Sequence, residues 1–417
     1  ISSSGVAADI SKIVAEINIF EDIFSTALTG SIILADTNNL VDNMPIIGQE
    51  YISMKIITPG LDGDDGIDFT ENVFCVYEMG GRTPSGSNSE IIELKICSPE
   101  LLRNQRTRIS KAYEESISVI VQSIMENEKY INTKKDLYIE PTLGIRKILS
   151  PNMHPFALIK NLTREAMSGV DESPHFVFFE NTRGFHFRSI QSLYAQGSAG
   201  EYHYGDKGFN ENNFSNKSSD TYGIIQSYKR IINLSVPNKN NSLFDIKAGM
   251  LGSTLIMHDI YNKKYNKSTF SYFDDFSKYK RLDSSPKYND NLIDDENNVG
   301  NFTDSRIFLY PTSTTTDDKD SQYIVVPATV EELTEQGVDR GLAVAEVERQ
   351  QKEIEEGNKD YMSNRADKWL LHRHQRMHEL NSGMTINMQI HGNTTVEAGQ
   401  VIQVSIHPLS LNHSTEA

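Results

Sequence analysis

The sequence predicts an α+β protein that is rich in β-structure and contains two similar antiparallel β-barrels. Three observations lead to this fold class. Apolar and polar residues alternate near both ends of the chain, with the period of a half-buried strand. Helical periodicity appears in the sections between them. One strand–turn–strand unit occurs twice in the 417 residues.

The first barrel is expected in residues 1–97. Residues 30–34 and 52–56 alternate as strands do, and the glycine-rich runs 62–66 and 80–86 are typical of hairpin loops. The run 62–66 is also acidic, so a calcium-binding site has to be considered. However, Gly66 stands where the EF-hand pattern requires an oxygen ligand, so a solvated turn is favoured.

An α/β domain is expected in residues 98–216, because the hydrophobic period changes at Ser98 from that of a strand to that of a helix. Ser98 and Pro99 have the residue types of an N-cap and a first helical position. A third helix is predicted to open at His154 and to end at Gly169. The helix between them is predicted from an apolar stripe of Ile117, Ile120, Val121, Ile124 and Met125.

The stretch FVFFENTRGFHFRSIQSL, residues 176–193, predicts a hairpin with a Thr-Arg-Gly turn. In the returning strand Phe185 and Phe187 share one face, and His186 and Arg188 share the other. No nucleophile has an activating partner nearby, and base stacking would require a basic groove that this acidic chain does not offer. The interpretation is a hairpin packed through its phenylalanines, with His186 and Arg188 solvated.

The second half of the chain is predicted to hold a second barrel interrupted by an insertion. Residues 195–220 have the composition of a linker, and strands are expected at 222–236 and 254–261. The second barrel is assigned to residues 217–261 and 381–417. A polar, surface-exposed insertion is assigned to 262–380, and a charged helical tract ends it from about 338.

His374 and His378 lie four residues apart in this tract, as zinc ligands on a helix do. The HExxH glutamate is missing and arginines are interleaved, so a polar helix face directed at a partner subunit is favoured over zinc. Cys75 and Cys97 lie in apolar runs and are expected to be buried reduced thiols rather than a disulfide or a metal site. No cofactor is expected.

The composition excludes several classes of function. The formal net charge is −17, from 57 acidic and 40 basic residues. This charge argues against nucleic-acid binding, and it suits a surface past which DNA moves without being bound. No apolar run approaches the length of a membrane span, so no membrane insertion is expected. The start, ISSSGVAADI, lacks the pattern of a signal peptide. It also lacks an initiator Met, so residue 1 need not be the first translated residue.

The repeated unit begins at Gly30 in one copy and at Gly383 in the other. Each copy has an alternating strand, an Asn-containing turn, a Gly-Gln pair (Gly48-Gln49 and Gly399-Gln400) and a second alternating strand. Two similar barrels per chain would let a trimer present six similar units around its axis. Such a ring could join a three-fold object to a six-fold tube.

Five blocks of the sequence resemble, in the same order, the baseplate hub protein of T-even-like contractile-tailed phages. They are FEDIFSTALTGSIILADTNNLVDNMPIIGQE, SPELLRNQRTRISKAYEESISVIVQSI, HPFALIKNLTREA, FFENTRGFHFRSIQSL and HGNTTVEAGQVIQV. The resemblance spans residues 17–193 and 361–406 and leaves 262–360 unmatched.

The resemblance implies a homotrimeric ring with pseudo-six-fold symmetry, built from two tail-tube-like barrels per chain with α/β domains outside. It implies similarity to the hub part of type VI secretion spike proteins. The implied partners are the central spike protein, the tail-tube or tube-initiator protein, the tape-measure and inner baseplate proteins, and DNA in transit. The implied location is the virion tail baseplate, assembled in the host cytoplasm.

The resemblance carries no catalytic residues, so the chain is expected not to be an enzyme. Residues of the matched blocks beside the barrel strands are candidate inter-subunit contacts; capping or turning within one barrel is the alternative. They are Phe20, Glu21, Asp22, Ile23, Asn393 and Thr394.

Two other functions stay open. A tail-associated glycan or peptidoglycan hydrolase would need two carboxylates converging in a cleft, and none lies in a recognisable motif. A host-receptor-binding protein would use the polar section 262–360 as its surface.

Overall fold

The computed structural model describes residues 7–37, 46–58, 66–85, 89–204, 228–237, 241–259, 263–283, 285–288, 302–311 and 365–406. The strands are β1 (Val14–Phe20), β2 (Thr29–Asp36), β3 (Tyr51–Ile52), β4 (Lys55–Ile56), β5 (Ile67–Asp68), β6 (Phe74–Pro84), β7 (Glu90–Cys97), β8 (Ile109–Glu115), β9 (Asp136–Ile139), β10 (Arg146–Met153), β11 (Phe176–Glu180), β12 (Gly184–Ser189), β13 (Ser198–Tyr204), β14 (Ile231–Ser235), β15 (Gly252–Asp259), β16 (Lys264–Ser271), β17 (Ile307–Pro311), β18 (Asn387–Ile390) and β19 (Val401–Ile406). The helices are α1 (Pro99–Arg106), α2 (Ile117–Glu126), α3 (Pro155–Glu165), α4 (Ile190–Tyr194), α5 (Ser242–Lys247), α6 (Tyr272–Asp275) and α7 (His374–Ser382). A 3-10 turn (Phe276–Lys278) follows α6, and a π-helical stretch (Lys368–Arg373) leads into α7.

The first section forms a five-stranded antiparallel sheet in the order β1-β2-β7-β6-β3. Along β2 every second residue is buried, and Ile32 and Leu34 pack with Ile92 and Ile96 of β7 in its core. The alternation predicted for residues 30–34 is therefore confirmed. Residues 52–56 alternate in burial too, but they divide between β3 and β4, because β4 pairs with β5 and not with the main sheet.

The glycines at 80 and 81 do not form the predicted loop. Both lie within β6, and the register shift between Met79 and Arg82 marks an irregularity that accommodates them. The turn comes after β6, where the Ser85 N–H donates to the Ser89 carbonyl at 2.8 Å. The acidic residues 62–65, and with them the calcium interpretation, lie outside the described residues.

The α/β section packs α2, α3 and the sheet β11-β12-β9 around one core. All five residues of the stripe predicted for α2 are buried. α1 begins at Pro99 as predicted, but the Ser98 hydroxyl donates to Glu180 Oε1 at 2.9 Å instead of capping the helix. α3 ends at Glu165, so the prediction that Gly169 closes it is wrong.

A ribbon of β8 and β10 also belongs to this section. Tyr113 of β8 is buried at one face, and Leu149 of β10 is 73% exposed at the other. These two strands were not predicted from the sequence.

The strands of the second repeat pair with the strands that follow the α/β section. β19 runs parallel to β13, and β18 runs antiparallel to β14. A bridge between His203 and Arg230 connects the two pairs. The prediction of a linker over 195–220 is therefore wrong at its start, because β13 finds its partner about 200 residues further along the chain.

The two copies of the repeat hold similar positions in their sheets. In the first copy the strand order is β2-β7-β6-β3, and in the second it is β18-β14-β13-β19, with the bridge between β14 and β13. In both, two other strands separate the strands of the repeat. Gly48 and Gly399 have φ of +87° and +91°, a left-handed conformation that favours glycine. The copies differ at β13, which runs opposite to its counterpart β6.

A third sheet, β16-β15-β17, packs against α6 and the π-helical stretch. Phe270, Tyr272 and Leu371 are fully buried there. The polar section that begins at residue 262 therefore contributes a core, which its composition did not predict. β15, assigned to the second barrel, pairs with β16 and β17 of the assigned insertion. Residues 338–364 of the helical tract lie outside the described residues. Among the helices that the structure describes, none has the length and apolar character of a membrane span.

Candidate assembly site

The corner of the second repeat, residues 391–400, rests on the hairpin of β11 and β12 and on the loop after β1. Glu21 of that loop joins all three parts. Its Oε1 accepts the Thr182 N–H at 2.8 Å and its Oε2 accepts the Ala398 N–H at 2.7 Å. Burial raises the pKa of Glu21, and the nearby Glu397 adds to the rise. We call this contact region the junction.

The hairpin turn holds the corner from the other side. Asn181 donates from Nδ2 to Glu397 Oε2 and to the Ala398 carbonyl, both at 3.3 Å. Arg183 donates from Nε to Glu397 Oε1 at 2.6 Å. Gly399 lies against Phe179, and a Cβ at this position would come within 2.8 Å of Phe179 Cζ. A larger residue at 399 would therefore lift the corner off the hairpin.

His186 lies beneath the turn, between two aromatic rings. It stacks on Tyr138 at 4.6 Å and on Phe179 at 4.9 Å, centroid to centroid, and donates from Nε2 to Asn181 Oδ1 at 2.9 Å. Only 7% of the residue is exposed. The interpretation of His186 as a solvated residue is therefore wrong, because β9 and the junction cover this face of the hairpin. The phenylalanines of the hairpin are buried as expected.

Burial lowers the pKa of His186 from 6.5 to about 4, and Arg188 and Arg183 contribute to the shift. Between pH 6.5 and pH 4, His186 is protonated in the unfolded chain and neutral in the folded chain. The contribution of His186 to stability is thus present above pH 6.5 and is lost as the pH falls toward 4.

We expect His186→Phe to flatten the fall of the melting temperature between pH 7 and pH 4, since phenylalanine keeps the stacking and does not titrate. Thermal melts across this range measure the slope, and exposed His258→Phe is the control. Other buried histidines with lowered pKa, among them His175 and His372, leave a residual slope. Equal slopes for wild type and His186→Phe would contradict this assignment.

The six predicted contact residues lie at or near the junction. Phe20 is 58% exposed, and Asp22 accepts the Phe24 N–H at 2.9 Å. Ile23 packs on the cluster of Val177, Phe179, Ile190 and Leu193.

The two residues predicted in the corner bond within the chain. Asn393 Oδ1 accepts the N–H of Thr395 at 2.9 Å. Thr394 and Thr58 join their hydroxyls at 2.8 Å, which links the first repeat to the second. Glu21 and Thr394 thus make contacts inside one chain, and an inter-subunit role for the six residues stays a prediction.

Among the described carboxylates, Glu100 and Glu180 converge on one shared cation. Both contact the ammonium of Lys135, at 3.0 Å and 2.5 Å. Their side chains are 4% and 0% exposed, so this pair lies in the core and not in a cleft that a glycan could enter. The pair offers a hydrolase no active site.

His374 and His378 make hydrogen bonds within the chain. His374 Nε2 bonds to the Ala248 carbonyl and His378 Nε2 to Asp245 Oδ1, each at 2.9 Å. Both imidazoles thus have partners inside the chain, and a partner subunit at this helix face stays a prediction. Among the residues that the structure describes, no group of three or more His, Cys, Asp or Glu side chains could hold a metal ion.

Cys75 and Cys97 are opposite each other on β6 and β7, and both are free and buried. Burial raises the pKa of both thiols, to about 12 for Cys97. The expectation of buried reduced thiols agrees with this environment.

Asn181, Arg183 and Glu397 were not singled out from the sequence, although they hold the corner. The Asn and Arg lie in the Asn-Thr-Arg-Gly turn, which was read only as a turn. Glu397 lies two residues before Gly399 in the repeated Gly-Gln unit. A charge next to that repeated glycine was the signal that could have indicated a contact.

The chain has a sequence relative among phage proteins. The chain is 20% identical over 259 residues to the probable baseplate hub protein of Vibrio phage KVP40, across 62% of this chain and 58% of that protein. The match thus spans less than two thirds of the relative's length. No protein-family model matches the chain.

Solved structures of two tail proteins and of a secretion-system component align with this chain at low TM-scores. A tail protein from Neisseria meningitidis MC58 has a TM-score of 0.39 at 8% identity, over 72% of this chain and 67% of that chain. The 43 kDa tail protein of prophage MuSo2 from Shewanella oneidensis has a TM-score of 0.33 at 9% identity, over 72% and 68%. An Escherichia coli component of the type VI secretion system has a TM-score of 0.33 at 12% identity, over 58% and 57%. Likenesses at this level carry no conclusion about this chain. By its sequence, the chain is similar to a phage baseplate hub protein, which confirms the resemblance of its motifs.

Proposed function

We propose that this protein is a structural hub of a contractile phage tail baseplate and that three copies form a ring. The ring joins a three-fold spike to a six-fold tail tube. The sequence relative, a probable baseplate hub protein, supports the place in the tail. The observation that carries the adaptor role is the repeat inside the chain.

The two copies of the repeat have equivalent strand positions and equivalent left-handed glycines. Each pair of repeat strands encloses two other strands, and Gly48 and Gly399 both precede Gln at the second strand. If both copies face the ring axis, three chains offer six similar surfaces to the tube and three identical faces to the spike. The predicted domain division is part of this proposal, with a first barrel in 1–97, an α/β domain in 98–216, and a second barrel in 217–261 and 381–417 interrupted by an insertion in 262–380. Two strands depart from these bounds: β13 pairs with β19 of the second repeat, and β15 pairs with β16 and β17 of the assigned insertion.

The acidic balance of the chain suits a passage for DNA. A net charge of −17 repels phosphates, so DNA would pass through the ring without being held. In this proposal the protein has no enzymatic role, and its partners are the spike, the tube or tube-initiator protein, the tape-measure protein and the inner baseplate proteins. It is placed in the virion tail after assembly in the host cytoplasm.

Light scattering during gel filtration tests the proposal first. The expected mass is three times the 47.0 kDa of one chain, independent of concentration in the micromolar range. Negative-stain images of the same fraction should show rings with a central hole. A monomer that degrades purified cell walls would overturn the proposal in favour of the hydrolase, and a monomer that binds host cells would favour the receptor-binding protein.

A further inference from the structure

A small cavity opens beside the loop that carries Glu21. It encloses about 60 Å³ and lies between this loop, α3 and the π-helical stretch. Ile23, Phe24 and Met377 form apolar parts of its wall, and Lys160 and Arg373 form basic parts. The volume is enough for a few water-sized groups, which suits a carboxylate and its methylene but not a nucleotide base.

Arg373 is a cation whose described hydrogen-bond partners are two neutral carbonyls. Its Nη1 donates to the carbonyls of Pro174 and Phe176, at 3.2 Å and 2.7 Å. No described carboxylate forms an ion pair with it, and the charge that acts on it is that of Arg164, another cation. Burial lowers the pKa of Arg373 to about 10, a sign that its charge lacks compensation. Buried charges in proteins are normally paired, because the loss of hydration is otherwise uncompensated.

The surface around the cavity is also basic and apolar. Lys160 and Arg164 are exposed one turn apart on α3, and neither forms an ion pair with a described residue. Phe24 is 43% exposed beside them and Phe20 is 58% exposed at the end of β1. The result is a basic pocket with an apolar border on a chain whose net charge is −17. An occupant that fits it carries a carboxylate on an apolar stretch.

We propose that this cavity, which we call the arginine pocket, binds an Asp or Glu side chain of a second copy of the protein. The inference rests on the proposed trimer and names a contact within it. A second copy offers acidic groups in excess, 57 against 40 basic ones. In addition, Ile23 and Phe24 line the pocket, and Ile23 belongs to residues 20–23, for which the sequence predicts inter-subunit contacts. In a closed ring each copy gives one carboxylate and receives one.

Charge reversal at the rim tests the pocket while leaving the fold intact. Lys160→Glu places an anion where the partner's carboxylate binds, and the Lys160 side chain makes no hydrogen bond within the described structure that the change would break. Lys129→Glu is the matched control, since Lys129 is an exposed lysine on a loop away from the pocket. Sedimentation equilibrium should show at least about a tenfold rise in the trimer dissociation constant for Lys160→Glu and none for Lys129→Glu.

Arg373→Gln supplies a second readout. It removes the charge and keeps a donor for the two carbonyls, and circular dichroism checks that it is folded. A folded Arg373→Gln should dissociate as Lys160→Glu does. Sodium acetate should weaken wild-type association more than sodium chloride at equal ionic strength, because acetate competes for the pocket.

The outcomes separate the two proposals. A wild-type trimer whose dissociation is the same for Lys160→Glu and Lys129→Glu would overturn the arginine pocket and leave the trimeric hub standing. A wild-type monomer would overturn the trimer, and this contact with it. Loss of the trimer in Lys160→Glu alone supports both.

Discussion

Replacing Lys135 with methionine is expected to lower the free energy of unfolding by about 3–5 kcal/mol, because it leaves two carboxylates buried without their shared cation. Lys135 lies between Glu100 and Glu180, and the three side chains are exposed by 8%, 4% and 0%. Glu180 Oε2 also accepts the Leu28 N–H at 2.7 Å. The cluster therefore connects the first sheet, α1 and the β11–β12 hairpin, and its loss should loosen all three.

The loss of stability caused by Lys135→Met should depend on pH in a defined direction. Burial already raises the pKa of Glu180 above 4.5 in the wild type, and without Lys135 the rise becomes larger. A carboxyl whose folded pKa is raised stabilises the fold below its unfolded pKa, and this contribution is lost as the pH rises. The deficit of Lys135→Met should thus be smaller near pH 4.5 than at pH 7.

Urea titrations at both pH values measure this deficit. Lys147→Met is the control, since Lys147 contacts Glu114 at 3.1 Å with side chains 43% and 54% exposed. An exposed pair of this kind contributes less than about 1 kcal/mol. If the two variants lose equal stability at pH 7, Lys135 does not hold the three parts together.

The sequence could predict those parts of the fold in which a local pattern coincides with burial. The stripe on α2, the alternation along β2 and the phenylalanine hairpin were all visible, because one face of each element packs on a core. The Gly-Gln repeat was visible for another reason. A left-handed backbone before a strand leaves glycine as the preferred residue at both Gly48 and Gly399.

Long-range pairing explains most of what the sequence could not predict. β13 was assigned to a linker, since its strand character depends on β19 about 200 residues away. The β8–β10 ribbon carries charges along its exposed face and shows no clear alternation. His186 looked solvated because nothing near it in sequence shows that Tyr138 stacks on it.

The candidate site also contains some residues with a local sequence signal and others without one. The loop at residues 20–23 and the corner at Asn393 and Thr394 were predicted as inter-subunit contacts. The structure brings them together inside one chain, and the inter-subunit role stays a prediction. Their partners in the hairpin turn, Asn181 and Arg183, could not be predicted, because side chains that meet across more than 200 residues leave no local pattern.

Replacing Glu21 with alanine is expected to lower the free energy of unfolding by about 2–4 kcal/mol, since it leaves the N–H groups of Thr182 and Ala398 without their acceptor. Glu21→Gln keeps one acceptor oxygen and should lose about half as much. Glu16→Ala, at an exposed position of β1, is the control and should change little. Urea titration of each variant measures the differences.

The concentration dependence of the Glu21→Ala result decides which kind of contact Glu21 makes. The structure has both of its hydrogen bonds inside one chain, so the deficit should be the same at every protein concentration. A contact between subunits would instead give a deficit that varies with concentration, because association contributes to stability only when subunits meet. A loss of stability that does not vary with concentration would show that Glu21 acts within the junction of one chain. The exposed neighbours Phe20 and Phe24 would then be the next candidates for inter-subunit contacts.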